Sequence, residues 1–193
     1  MLTAKPRAKK CRHCKAQFMP ARPLQKVCGW QCAAVLALKD HAKRDAKEAA
    51  KERAADRVKR EAMKRLPDLI AETQRTFNAY IRERDRNQPC ICCGKPLGAG
   101  DVGGAFDCGH YRSTGSASHL RFHEHNAHAQ NKVCNRYGAG RAVDYRIGLI
   151  ARIGREAVEA LESDNTPRKW SRDELRELKS VYAAKLRALK ETA

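Results

Sequence analysis

Aromatic side chains are scarce. Four Phe, two Trp and five Tyr are spread over 193 residues, and much of the 42% hydrophobic content is alanine. A single large core is excluded on those terms, and small modules with little to bury need staples such as bound metals. Long apolar runs are missing too. None approaches the roughly 20 residues of a membrane span. The basic start, Met1 to Lys10, has no apolar stretch behind it, so no signal peptide is expected. The expectation is a cytoplasmic protein with no membrane partner. Acidic residues are outnumbered, 22 Asp/Glu against 40 Lys/Arg, for a net charge of +18. Self-repulsion of that size opposes compaction and points to a polyanionic partner. Nucleic acid is the first candidate and an anionic membrane surface the second.

The charge is uneven. Residues 1–66 carry 19 Lys/Arg against 6 Asp/Glu, and residues 67–193 carry 21 against 16. The N-terminal third is therefore the expected electrostatic anchor. Glycine and proline are absent from residues 33–66, a run of Ala, Lys, Arg, Glu and Asp. These are strong helix formers, and large apolar residues sit only at the ends of the run. The spacing predicts a solvated, basic helical arm over residues 36–66 that touches phosphates.

What is abundant is cysteine: nine, in a chain whose compartment argues against disulfides. Cys11, Cys14, Cys28 and Cys32 follow a C-x2-C-x13-C-x3-C spacing. Two knuckles a dozen residues apart suit a tetrahedral four-cysteine zinc site. Residues 1–35 are expected to form a zinc finger with Phe18, Val27 and Trp30 as its small core. Its basic flank, including Lys9, Lys10 and Arg12, is expected to contact DNA.

A second cluster, Cys90 to Asn135, holds five of the nine cysteines and five of the seven histidines. Cys90 and Cys93 open a knuckle that Cys134 closes, but the partner expected three residues before Cys134 is Asn131. Cys92, Cys108, His128 and Asn131 are candidates for the fourth ligand of this central zinc. Between the two ends, residues 105–111 read as a strand, residues 113–118 as a loop and residues 120–122 as a second strand. Strand, loop, strand and a helix starting at a metal ligand is the layout of a ββα-metal nuclease site.

Phosphodiester hydrolysis needs a general base, and a neutral imidazole suits that near pH 7. His110, at the end of the first strand, is assigned that role. A hard divalent cation, Mg2+ or Mn2+, needs oxygen ligands, which Asp107 and the Asn135 side-chain carbonyl can supply. Asn126 fits the polar residue that holds the loop and orients the histidine. Asp107 and His110 fall three apart, on opposite faces of a regular strand, so a bulge at Gly109 is expected to bring them together. Arg112 is expected to clamp phosphate. His119, His123 and His125 read as surface or internally satisfied histidines.

Helical spacing covers the rest of the chain. Pro67 is expected to break the arm and Asp68 to cap a helix whose buried face is Leu69, Ile70, Thr73, Phe77, Tyr80 and Ile81. Val143, Ile147, Ile150 and Ile153 form a second stripe that ends at Gly154. Ser171 to Glu174 is a capping box, opening a C-terminal helix buried through Leu175, Leu178, Tyr182, Leu186 and Leu189. The fold class is mostly α with small zinc-stapled modules: residues 1–35, residues 36–66, and residues 67–193 with a nuclease core over 90–141.

The order of the motifs, over more than a hundred residues, resembles the NinG (Rap) recombination proteins of lambdoid phages, within the HNH/ββα-metal endonucleases. The resemblance rests on the N-terminal cysteine finger, the charged helix, Ala79 to Arg86 before Pro89-Cys90, Gly109-His110-Tyr111-Arg112, Leu120 to Phe122, Asn126 with His128, Cys134-Asn135, Tyr145-Arg146 and Ile153 to Val158. It implies a phage protein in a bacterial host that cuts branched recombination intermediates such as Holliday junctions and D-loops. A wider likeness to phage endonuclease VII implies that Asn135 is a divalent-metal ligand and His110 the base. Junction enzymes act as two-fold dimers, so a homodimer is also implied. The sequence departs from the family pattern at Asn131 and at Gly138 to Arg141. A less structure-selective nicking enzyme, or a catalytically inactive zinc-dependent DNA-binding protein, are the alternatives.

Overall fold

A computed structural model describes residues 7–98, 106–138 and 140–191. The chain forms two compact units, Met1–Met63 and Lys64–Ala193. The described residues are mostly helical. None of their helices is long and apolar enough to cross a membrane.

The first unit opens with a two-stranded antiparallel hairpin, β1 (Lys9–Lys10) and β2 (Gln17–Phe18), which pairs Lys9 with Phe18. A helix of 34 residues follows, α1 (Trp30–Met63), with no buried residue. At 1.5 Å per residue it is about 50 Å long. Local pairs such as His41 Nδ1 to Asp45 (2.7 Å) and Lys51 to Glu48 (3.6 Å) decorate it. The helix starts early enough to take in Cys32. The expected small core is incomplete: Phe18 and Val27 are half-buried but Trp30, at the start of α1, is 76% exposed.

The second unit begins with α2 (Leu66–Arg84). Pro67 sits in its first turn, where the missing N–H costs nothing. Asp68 reaches back to the Arg65 N–H (3.2 Å), so it closes the first turn from within rather than preceding it. Leu69, Thr73, Phe77, Tyr80 and Ile81 are buried as the spacing predicts. They pack with Cys108, Phe122, Ala127 and, from α5 (Arg172–Glu191), Leu175 and Tyr182. The Thr73 hydroxyl donates to the Leu175 carbonyl (2.9 Å). Ser171 and Glu174 make the reciprocal capping bonds at 3.2 and 2.8 Å.

The central sheet has two antiparallel strands, β3 (Phe106–His110) and β4 (Ala127–Asn131). The second strand is therefore not where alternation placed it. Leu120 belongs to a 3-10 turn, Ser118–Leu120. Leu120 and Phe122 are both buried, one in each of two separate apolar clusters. They anchor the loop from opposite sides instead of lining one strand face. After β4 the chain makes a π-helical turn, Val133–Tyr137, that carries Cys134 and Asn135.

Two more helices, α3 (Ala142–Ile153) and α4 (Arg155–Ser163), meet at Gly154, whose φ of 86° breaks the helix. Their core is Tyr145, Leu149, Val158 and Leu161 with Ile91, Ala117 and Leu120. The expected α3 stripe is displaced: Val143 and Ile147 are 75% and 64% exposed. Gly148 explains the rotation. A Cβ there would lie 1.8 Å from the Ile91 carbonyl oxygen, so this bare position sets α3 directly on the Cys90 turn. Gly148→Ala should force the helix off that turn and cost about 1–3 kcal/mol, as overpacking does. Thermal unfolding followed by circular dichroism should show a lower midpoint, and an unchanged midpoint would contradict the close approach.

Candidate metal and catalytic site

The first unit holds four thiols. The Sγ atoms of Cys11, Cys14, Cys28 and Cys32 all lie within 4.8 Å of one another. A tight turn presents Cys11 and Cys14, closed by Lys15 N–H to the Cys11 carbonyl (3.1 Å) with Lys15 at φ 65°. The first turn of α1 presents Cys32. Burial opposes ionisation of Cys11, but backbone N–H donors from Cys28, Cys14 and His13 outweigh it and lower that thiol to about 6. Cys32, bonded to Cys28, is pushed up to about 12. Without a cation, one thiolate forbids the next. A divalent metal removes that conflict, and four sulfurs at this spacing fit zinc. Lys9, Lys10 and Arg12 are exposed beside them.

The second unit holds three thiols in the same relation: Cys90, Cys93 and Cys134. Cys90 to Lys95 is a knuckle, closed by Gly94 N–H to the Cys90 carbonyl (3.0 Å) and by Cys90 N–H to the Lys95 carbonyl (2.9 Å). Gly94 takes the positive φ that the turn demands, 66°. A hydrogen bond from Cys92 lowers the Cys90 thiol to about 4, while burial raises Cys134 to about 11. The Asn131 N–H donates to Cys90 Sγ at 3.3 Å, and its carboxamide lies 3.9 Å from Cys93 Sγ.

The fourth-ligand candidates separate cleanly. His128 is not at the thiols. It is 3% exposed, with Nδ1 at 3.0 Å from Arg84 and 3.3 Å from Asp85 and Nε2 facing the His125 carbonyl. Cys108 is not there either; it lies in the cluster of α2 and α5, where burial pushes its thiol up to about 12. Cys92 lies beside Cys90 but outside the three-thiol group, accepting from Gln130 Nε2 at 2.7 Å. Asn131 sits against the thiols, with its Nδ2 shared between Cys93 Sγ and the Pro96 carbonyl (3.4 Å).

Asp107 and Asn135 meet. Asn135 Nδ2 donates to Asp107 Oδ2 at 3.2 Å. Arg136 forks onto both Asp107 oxygens, Nε at 2.8 Å and Nη2 at 3.1 Å. Burial alone would raise the Asp107 carboxyl, but Arg136 and Asn135 outweigh it and hold it below the usual carboxylate range. Arg136 had no motif to announce it.

His110 does not join this pair through a bulge. The ladder runs unbroken from Phe106↔Asn131 through Gly109↔His128 to His110↔Ala127. Asp107 and His110 stay on opposite strand faces, because Gly109 is held flat by Gln130, whose Oε1 would lie 2.1 Å from a Cβ there. What links the two is Asn135. It bonds Asp107 on one side and, with His110, Tyr111, Ser113 and Tyr145, lines an open pocket of about 380 Å3 on the other.

His110 Nε2 faces the Arg121 carbonyl at 3.0 Å. A carbonyl only accepts, so Nε2 carries the proton and Nδ1 keeps the lone pair. Burial holds this imidazole below its ordinary pKa, and the Arg121 carbonyl offsets only part of that. The Arg121 position is fixed in turn by Asn126. That residue is 0% exposed. It accepts from Arg112 N–H (2.8 Å) and donates to the Arg112 and Leu120 carbonyls at 3.0 and 3.1 Å. Asn126 thus ties the ends of the loop, without touching the imidazole.

Arg112 turns into the protein. Its guanidinium is spent on the carbonyls at the end of α4, on Leu161 (2.9 Å), Glu162 (3.4 Å) and Asp164, and on Asn165 Oδ1 (2.8 Å). It caps a helix C-terminus through Nη1 and Nη2, so most of its fork is turned to the protein rather than offered to a phosphate. Two features escaped the sequence reading altogether. One is Asp85, 4% exposed, which accepts from Arg84 at 2.7 and 3.0 Å and from the Ala129 N–H at 2.9 Å. The other is the Arg121 carbonyl. Asp85 was hidden in a run of ordinary surface charges, and a backbone carbonyl leaves no mark in a sequence.

The profile of the family described as Bacteriophage Lambda NinG protein matches residues 3–192. The chain belongs to the NinG family. "Protein ninG" of Escherichia phage lambda is 36% identical over 206 residues, covering 98% of this chain and 97% of its own. "Protein ninG" of Escherichia phage 933W is 39% identical over 202 residues, covering 97% and 96%. No solved structure matches the chain.

His110 and His128 are both held low by burial. In each case the unfolded imidazole protonates first as pH falls. Their contribution to the stability of this NinG-family chain is therefore complete above about pH 6.5 and shrinks as pH drops below it. An NMR titration of the imidazole nitrogens should place both midpoints below 6.5, and a midpoint at or above that value would contradict the burial.

Proposed function

We propose that the chain is a divalent-metal-dependent endodeoxyribonuclease of the HNH/ββα-metal kind, acting on branched recombination intermediates. The observation that carries the reading is the Asp107–Asn135 contact at 3.2 Å beside a pocket walled by His110. A carboxylate and a carboxamide oxygen are the donors a hard cation takes. Asn135 would present its carbonyl by an amide flip, since N and O differ only in assignment.

His110 would act first. Its Nδ1 lone pair accepts a proton from water, whose oxygen attacks phosphorus. The bond from phosphorus to the leaving oxygen then breaks, and that oxygen takes a proton from solvent. The cation held by Asp107 and Asn135 would neutralise the scissile phosphate and the leaving oxygen. Asn126 and the Arg121 carbonyl keep the imidazole tautomer and angle fixed throughout. Zinc on the two thiol groups would be structural, in small modules with little apolar area to hold them. The basic first unit, exposed along α1, would supply salt-sensitive affinity for the phosphate backbone. A homodimer would let opposed strands of a junction be cut together.

One observation favours a second reading, an inactive zinc-dependent DNA-binding protein: Arg136 already occupies both oxygens of Asp107. Cleavage separates the two. The zinc-loaded chain should cut a four-way junction faster than a linear duplex of the same sequence, and only when Mg2+ or Mn2+ is supplied. His110→Ala should slow cutting by about 10²–10⁴-fold, the usual contribution of a positioned base. Equal cutting of both substrates would reduce the reading to a general nicking enzyme. No cutting of either would leave the DNA-binding protein.

A further inference from the structure

Arg136 sits where a cation would have to go. It follows Asn135 directly, and its guanidinium forks onto Asp107 with Nε at 2.8 Å from one oxygen and Nη2 at 3.1 Å from the other. Asn135 Nδ2 completes the set on Oδ2 at 3.2 Å. The proton-donor arrangement around Asp107 is therefore the complement of a metal site: one positive group and one amide, both pointed at the same carboxylate. A divalent ion and a guanidinium compete for that carboxylate, because their charges repel and the fork already takes a lone pair on each oxygen. The Arg136 side chain is 58% exposed, so it can leave into solvent without breaking a core contact. The pair is only partly desolvated, with Asp107 at 16% exposure, so its contribution stays modest and the exchange is reversible. Once released, the fork is one residue from Asn135. Planar double donation suits a phosphate as well as it suits a carboxylate.

We propose that Arg136 is a displaceable cation. It holds Asp107 while no divalent ion is bound, and when one binds it moves onto a phosphate of the nucleic acid at the same site. This rests on the reading of Asp107 and Asn135 as the divalent-ion site. Metal binding and phosphate contact by Arg136 are then coupled: each requires the other partner of Asp107 to have been exchanged.

Mn2+ is the probe, counted as free ion by electron paramagnetic resonance with the zinc-loaded full chain. The wild-type chain should bind Mn2+, Asp107→Asn should not, and Arg136→Gln should bind it about two- to fivefold more tightly, the range that an exposed ion pair spans. A second arm uses His110→Ala as the background, so that DNA stays uncut. There Arg136→Gln should leave junction affinity unchanged without Mn2+. With Mn2+ it should weaken binding and reduce the salt slope by about one, the loss of one phosphate contact. Asp107-dependent Mn2+ binding that Arg136→Gln does not tighten overturns the displacement alone. A salt slope that falls equally with and without Mn2+ overturns the coupling. A wild-type chain that binds no Mn2+ removes the metal reading and this inference with it.

Discussion

The convergence of three thiols is the constraint on which the second unit depends. Cys90 and Cys93 sit on a turn before the sheet, and Cys134 lies on the π-helical turn after it. Gathering these sulfurs within 4.8 Å pins both ends of a segment that has few large apolar residues of its own. One residue beyond Cys134, Asn135 is delivered to Asp107. One turn of chain away, Ile91 meets the bare backbone of Gly148, which fixes α3 and with it Tyr145, whose hydroxyl reaches the Gly109 carbonyl at 3.0 Å. A metal on this frame would offset the burial that, with the nearby Cys90 thiolate, keeps Cys134 protonated.

A second network makes the pocket rigid from the other side. Asn126 ties the loop, the loop carries the Arg121 carbonyl, and that carbonyl holds the His110 ring. Each link is a hydrogen bond to backbone, so none of it requires a charged partner in a region where burial disfavours charge. The imidazole remains neutral for the same reason. Position and protonation state of His110 therefore have one common cause, the packing of the loop over α2.

The gathering of the cysteines and the α2 face were legible in the sequence because each is a local signal. The C-x2-C pairs, the α2 face from Leu69 to Ile81 and the Ser171–Glu174 cap depend on neighbours within a few turns. The second strand was not legible. Ala127 to Asn131 has no large apolar residue and little β propensity; it becomes a strand because β3 offers it an unbroken ladder. The place of Arg112 was hidden for a related reason: its partners are carbonyls some fifty positions away, and no local pattern announces a helix cap. The bulge expected at Gly109 failed because the space that a bulge would use is filled by Gln130.

The central claim is that two separate thiol groups are metal staples, one in each unit. Zinc content of the purified full chain, measured by inductively coupled plasma mass spectrometry against protein concentration, tests it directly. Two zinc ions per chain are expected, falling to one in Cys134→Ser with the ion of Cys11, Cys14, Cys28 and Cys32 retained. A wild-type chain holding a single zinc ion that Cys134→Ser leaves in place would contradict the account.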